Sequence, residues 1–296
     1  MSRRSVTSCL AVLLISVAIP VPVTRLARGE NGQQPREGLT EPVYRISKRI
    51  EPGDPAKAEH PLDPALQIAK EGLENIRNNV RDYSCTLVKQ ERINGVLNEP
   101  EYMFTEIRNR QVQNGQIVIP FAVYMYFLKP ENFKGREVIY VEGRNNDKLV
   151  AHEANFLRTF GAVWLDPKGP IAMRGNLYPI TDVGLETLML KLVEKGERDR
   201  QRGEVQVEFI RNAKLNGRVC TVLQVTHPEK RPYFDFNIAQ IFIDDELNLP
   251  IRYAAYTWPS KPGGKPEALE NYTYLNLKLN IGLTDDDFNH EKKFRL

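Results

Sequence analysis

The chain has 296 residues, with 41 Lys and Arg against 38 Asp and Glu and a formal net charge of +3 at pH 7. That length allows one or two domains. The two signs of charge are interleaved, without the concentrated basic surface that a nucleic-acid partner requires, so that partner class is set aside.

The first thirty residues differ from the rest. Arg3 and Arg4 precede an uncharged run from Cys9 to Val23, and Ala27-Arg28-Gly29 follows. Basic start, apolar centre and small-residue end are the order of a secretory signal. The run is shorter than the ~20 residues a spanning helix needs, and Pro20 and Pro22 interrupt it. Cleavage is expected near Gly29, and an uncleaved anchor is the alternative. Residues 1–29 contain Arg3, Arg4, Arg25 and Arg28 and no acid, which leaves 37 basic against 38 acidic residues in the exported part.

Residues 30–62 read as a disordered linker. Pro35, Pro42, Pro52, Pro55 and Pro61 recur there with few large apolar residues. Such a segment buries too little surface to offset its ordering entropy. Residues 63–296 then read as a single domain, long enough for one sizeable core.

Asp63 is suited to an N-cap and Pro64 to the first helical position. Leu66, Ala69, Leu73, Ile76 and Val80 recur at helical spacing and predict an amphipathic helix ending near Asp82. Strands are predicted over Tyr83–Ile93, with the Asn94-Gly95 hairpin signal after it, and over Tyr102–Val112. Further strands are predicted over Ile117–Leu128, Arg136–Glu142 and Lys148–His152. Asp182 is the expected cap of a second helix, with Leu185, Leu188, Met189 and Leu192 facing inward and a solvated end over Glu194–Arg202. Five more strands are expected: Val205–Ile210, Val219–Thr226, Phe236–Ile243, Ile251–Trp258 and Tyr272–Leu279. Neighbouring strands with short turns make the class α+β and mainly antiparallel, without the strand–helix alternation of a parallel sheet.

Catalytic signatures are missing. There is no Gly-rich phosphate loop and no nucleophile elbow. Beyond the signal the only serines are Ser47, Ser84 and Ser260, none in such a turn. His60, His152, His227 and His290 are scattered, without the convergent ligands of a metal site. The acidic runs Asp244-Asp245-Glu246 and Asp285-Asp286-Asp287 read as solvated turns. The expectation is a non-enzyme with no cofactor and no metal. Cys85 and Cys220 can form a disulfide in an oxidising compartment or stand as two separate buried thiols. The run Phe121–Leu128 places large side chains on both faces of one strand, so both faces must be covered.

The order of these features resembles a known group. The initial helix, the hairpin and the strand ending at Lys129-Pro130 are followed by Glu131-Asn132-Phe133 and Val138-Ile139-Tyr140. Later come Leu247-Asn248-Leu249-Pro250 and Tyr272–Asn280. This resembles the superfamily of periplasmic lipoprotein carriers typified by LolA, with LolB-like and RseB-like relatives. Tyr83-Ser84-Cys85, Tyr140-Val141-Glu142-Gly143 and the Leu-Asn-Leu-Pro turn are more closely similar to an exported bacterial family, domain of unknown function 1571. The resemblance implies an unclosed half β-barrel whose concave face is covered by the two helices.

It also implies a carrier or binder of acyl chains or another apolar ligand in the cell envelope, in peripheral contact with membranes. The alternative it implies is an RseB-like sensor or interaction module with a filled core and an envelope protein as partner. Met125, Phe127, Tyr140, Phe242, Tyr253 and Trp258 are the candidate cavity residues, and Lys129 and Pro130 the candidate lid or gate. Lys129 stands where LolA has an arginine before proline, and lysine lacks the planar fork for bidentate contacts.

Overall fold

The computed structural model describes residues 44–45, 60–153, 161–261 and 263–294. The expected signal and most of the expected linker lie outside the described residues. Strand β1 is Tyr44–Arg45. Helix α1 spans Asp63–Asn79 and buries Leu66, Ala69, Leu73 and Ile76 on one face, the stripe its spacing predicts. Leu62, not Asp63, stands at its cap position. The Asp63 carboxylate instead accepts the His60 N–H at 3.0 Å and the Arg200 Nε–H. The hydrogen bond from Arg200 holds the Asp63 carboxyl below its ordinary value.

Strands β2 (Asp82–Ile93), β3 (Val96–Leu97) and β4 (Glu101–Arg108) follow. Asn94 and Gly95 take φ of 50° and 82° between β2 and β3, the turn that Asn-Gly favours. The return strand ends at Arg108, short of Val112. Gln111–Gln113 (β5) and Gln116–Ile119 (β6) form a separate two-stranded hairpin about Asn114-Gly115. Pro120, which has no N–H for a ladder, divides the run that the sequence joined, and β7 is Ala122–Lys129. The chain continues through β8 (Glu137–Val141), β9 (Leu149–His152) and β10 (Ala162–Leu165).

Helix α2 spans Leu185–Arg200. Asp182 does not cap it, because it closes a short 3-10 turn at Ile180–Asp182. Gly184, at φ 118°, occupies the cap position, and the buried Tyr83 hydroxyl accepts the Leu185 N–H at 2.8 Å. The end expected to be solvated contains a buried acid, Asp199. Helices α1 and α2 pack closely at two glycines. A Cβ at Gly72 would lie 2.7 Å from Met189 Cε, and one at Gly196 2.7 Å from Leu66 Cδ2.

The second strand set is β11 (Gln206–Leu215), β12 (Arg218–Thr226), β13 (Ile238–Asp244), β14 (Leu249–Thr257) and β15 (Glu267–Leu279). Helix α3, His290–Lys293, comes last. The main sheet has 13 strands in the order β1-β11-β12-β13-β14-β15-β2-β4-β7-β8-β9-β10, with β3 beside β2. Every pairing is antiparallel. The ends β1 and β10 do not pair, so the sheet is unclosed, as the half-barrel expectation has it. Its two meanders join where β2 pairs β15.

Both faces of β7 are covered. On the concave side Val123, Met125 and Phe127 share a core with α1 and α2 through Ile76, Leu185 and Met189. On the other side Ala122 and Tyr124 pack with Phe288 and Phe294 of the C-terminal segment. Ion pairs tie that segment down: Lys293 to Glu106, and Arg108 and Arg144 to Asp285 at 2.8 and 3.4 Å.

Candidate functional site

The sheet and its helices leave a cavity of about 880 Å³ on the concave side. Residues two apart on a strand point the same way, so single strands supply rows of wall residues. Leu87, Lys89 and Glu91 come from β2, and Glu270, Tyr272 and Tyr274 from β15. The register sets them side by side: Leu87 opposite Tyr274, Lys89 opposite Tyr272 and Glu91 opposite Glu270. Met103 and Glu101 extend the first two rows on β4. Met125, Phe127, Val138, Leu149 and Ala151 complete an apolar floor. The wall therefore grades along the strands from apolar to charged.

The cover comes from residues 165–184 and α2. Leu165, Ile171, Ala172, Ile180 and Val183 lie over the floor. From α2, Leu188, Lys191, Leu192 and Lys195 reach the cavity, the spacing of one helical face.

At the charged end Glu91 and Glu270 are buried carboxylates, 3% and 7% exposed. The Tyr272 hydroxyl lies 2.5 Å from Glu91 Oε1 and 3.3 Å from Glu270 Oε2, and Tyr253 donates to Glu270 Oε1 at 3.2 Å. Glu91 Oε2 also accepts the Leu177 N–H at 2.9 Å. The Lys89 ammonium donates to the Asn176 side-chain oxygen. These two bonds fasten the cover to the sheet. Burial, then the Glu270 charge, pushes the Tyr178, Tyr253 and Tyr272 hydroxyls well above their ordinary range, so all three stay protonated donors. Their rings cluster: Tyr253 and Tyr272 stack at 6.4 Å and 9°, and Tyr178 lies 6.3 Å from Tyr272.

The charges of the wall are mostly satisfied within it. Carboxylates come from Glu91, Glu99, Glu101, Glu153, Asp182 and Glu270, and basic groups from Lys89, Arg136, Arg174, Lys191 and Lys195. Lys89 pairs with Glu101 at 3.2 Å and Glu91 at 3.7 Å, Arg136 with Glu153 at 3.0 Å, Lys191 with Asp182 at 3.0 Å, and Lys195 with Glu270 at 3.8 Å.

Of the candidate cavity residues, Met125, Phe127 and Tyr253 line this space, and so does Pro130 of the candidate gate. Lys129 is exposed at the end of β7, its ammonium 5.6 Å from the Tyr102 ring centre. Tyr140, Phe242 and Trp258 lie off the cavity. Tyr140 shares the inner core but packs on Phe121 at 6.3 Å. Phe242 pairs with Arg252, the neighbour of Tyr253, and so joins a separate core with Cys220, Val222 and Ile251. Trp258 follows β14 and donates its indole N–H to the His227 carbonyl at 3.1 Å.

Cys85 and Cys220 are not bonded to each other; both are free and buried, in different cores. Burial pushes the Cys85 thiol far up and the Cys220 thiol up to about 12. Among the described residues no cluster of three His, Cys, Asp or Glu is arranged to hold a metal ion. The Lys89, Glu91, Tyr178, Glu270 and Tyr272 cluster was not among the candidates. Its sequence signal is weak: charged residues at alternate positions of two apolar strands.

A family described as "Protein of unknown function (DUF1571)" matches residues 80–294. No curated protein matches. Solved structures similar to the chain include a DUF1329 family protein from Desulfovibrio piger ATCC 29098, at 13% identity over 78% of this chain and 98% of that one, with a TM-score of 0.36. A putative outer membrane lipoprotein-sorting protein domain from Vibrio parahaemolyticus is similar at 14% identity, over 75% and 98%, with a TM-score of 0.36. MucB in the Pseudomonas aeruginosa MucA/MucB complex is similar at 15% identity, over 76% and 60%, with a TM-score of 0.41. Among the described residues no helix is long and apolar enough to cross a membrane.

Proposed function

We propose, for a chain that belongs to the DUF1571 family of proteins of unknown function, that it is a non-enzymatic carrier or binder of an amphiphile's apolar chain in the cell envelope. The observation that carries this is the cavity of about 880 Å³, which the protein's own side chains leave unfilled. Its size lies within the roughly 300–1,000 Å³ of small-molecule sites. A guest chain would cover the partly exposed Val138, Leu165, Ile180, Val183 and Leu188, and removing that apolar surface from water is favourable. The apolar-to-charged grading along the strands gives the two ends of an amphiphile different places. The cavity favours this reading over the filled-core form of the sensor alternative. Export by the N-terminal signal belongs to this proposal, as does a gate at the rim beside Pro130.

Native mass spectrometry of the purified protein tests it, together with titration by a neutral apolar dye that brightens out of water. Co-purifying amphiphile, or saturable dye uptake reversed by alkyl compounds, supports the reading. Absence of both across several chain lengths sinks it.

A second reading, an envelope interaction module, is favoured by the β5–β6 hairpin. It stands apart from the main sheet and exposes Val112, Ile117 and Val118. Recovery of one stoichiometric envelope partner, lost on changing these three residues to Ser, supports it; equal recovery with the changed hairpin counts against it.

A further inference from the structure

We infer that the cavity prefers an amphiphile with a positively charged, ammonium-type head over one with an anionic head, the head lying against Glu270 and the Tyr178, Tyr253 and Tyr272 rings. The inference rests on the carrier reading and adds the class of head group.

The first support is charge. Six carboxylates face five basic groups around the cavity. Three of those five are held by wall carboxylates at 3.0 to 3.2 Å, and a fourth, Lys195, stands 3.8 Å from Glu270. The fifth, Arg174, is exposed on the cover. At any basic group of the wall but Arg174, an anionic head would have to separate one of these pairs or lie beside its carboxylate. Like charges brought together away from water are strongly unfavourable.

The second support is aromatic. An ammonium is attracted to the face of a tyrosine ring. Three tyrosine rings gather at the charged end of this cavity. One ammonium already sits in this way, with Lys191 Nζ 4.5 Å from the Tyr178 ring centre.

The third support is that one pair is loose. Lys195 Nζ stands 3.8 Å from Glu270 and 3.7 Å from Asp235. Neither is a hydrogen-bond distance. A ligand ammonium can therefore take Glu270 while Lys195 swings to Asp235, and no wall charge is left alone.

The test uses the full chain loaded with the neutral dye and three displacers of one chain length: dodecylamine, dodecanol and dodecanoate. Dodecylamine should displace the dye at a concentration at least about tenfold below that of dodecanoate, a difference of ~1.4 kcal/mol. Glu270→Gln, which keeps the shape and removes the charge, should shrink the amine-to-alcohol ratio. Lys195→Met, at a half-buried position, should enlarge it. Near-UV circular dichroism confirms that both variants are folded. Dodecanoate equal to or better than dodecylamine overturns the inference while the carrier reading stands. Ratios that do not move in either variant overturn it equally. Failure of all three displacers and the dye removes the carrier reading, and the inference with it.

Discussion

The carboxylate of Glu91, on β2, accepts the backbone N–H of Leu177, on the cavity's cover, at 2.9 Å. Its other oxygen takes the Tyr272 hydroxyl. One buried side chain thus joins the cover to the seam of the sheet. Glu91→Ala is expected to release residues 176–178. It removes the acceptor of the Leu177 N–H and leaves the Tyr272 hydroxyl only its longer bond to Glu270 at 3.3 Å, at a cost of about 1–3 kcal/mol in all. Hydrogen exchange should accelerate at Leu177 and its neighbours while the amides of β2 and β4 stay protected. Uniform acceleration across the domain would contradict this role.

A cavity that accepts a guest can also be filled from within. Val138 lines the floor and is only partly buried, so Val138→Phe is expected to project into open space. Dye uptake should fall at least about tenfold while the melting temperature holds, since the overpacking penalty of ~1–3 kcal/mol applies to filled cores. A large loss of stability would show that the space is smaller than the structure indicates.

The C-terminal segment covers the outer face of β7 to β9 chiefly through Phe288, which is 2% exposed. Phe288→Ala should cost roughly 3–5 kcal/mol. At about 2–4 °C per kcal/mol for a domain of this size, the melting temperature should fall by on the order of 10 °C. A shift of only a degree or two would mean that the segment is an ornament of the fold.

His227 is fully buried, stacked 3.7 Å from Phe234, with Nδ1 3.1 Å from the Phe236 carbonyl and Nε2 3.5 Å from Asp199. Burial lowers the His227 pKa and raises that of Asp199. The neutral imidazole is the folded form. The unfolded chain binds the proton more readily, so the histidine destabilises the fold as pH falls through about 6.5. The raised acid acts in the opposite sense, its penalty fading as it takes up a proton. Between about pH 8 and pH 5 stability should therefore decline, and His227→Phe should flatten the slope. An unchanged slope in the variant would assign the decline to other groups.

Both buried thiols should be silent in the folded protein. In a chain carrying Cys9→Ser, a disulfide-exchange reagent should find no reactive thiol until denaturant is added, and two thereafter. Prompt reaction of either would contradict their burial and raised pKa.

Local signals were the legible part of the fold. The α1 stripe, the Asn94-Gly95 turn and the doubly covered β7 could all be read from neighbours in sequence. The errors have physical causes. Tyr253 and Phe242 are both aromatic on paired strands, but Phe242 pairs with Arg252, and a single-residue offset changes the face. Glu91 and Glu270 meet only because β2 pairs β15, a juxtaposition that no window of sequence contains. Asp182 looked like a cap because Tyr83, which takes the first N–H of α2, lies about a hundred residues upstream.

The joint between β2 and β15 has a consequence for how occupancy is felt. Apart from β1, which pairs β11, each meander is built of strands close in sequence, and the two touch as sheet only along this line. The cavity spans it, drawing wall from both sides. A guest lodged there works as a splice between an early and a late half of the chain. Pulled apart from its ends, a loaded molecule should part at the splice at higher force than an empty one.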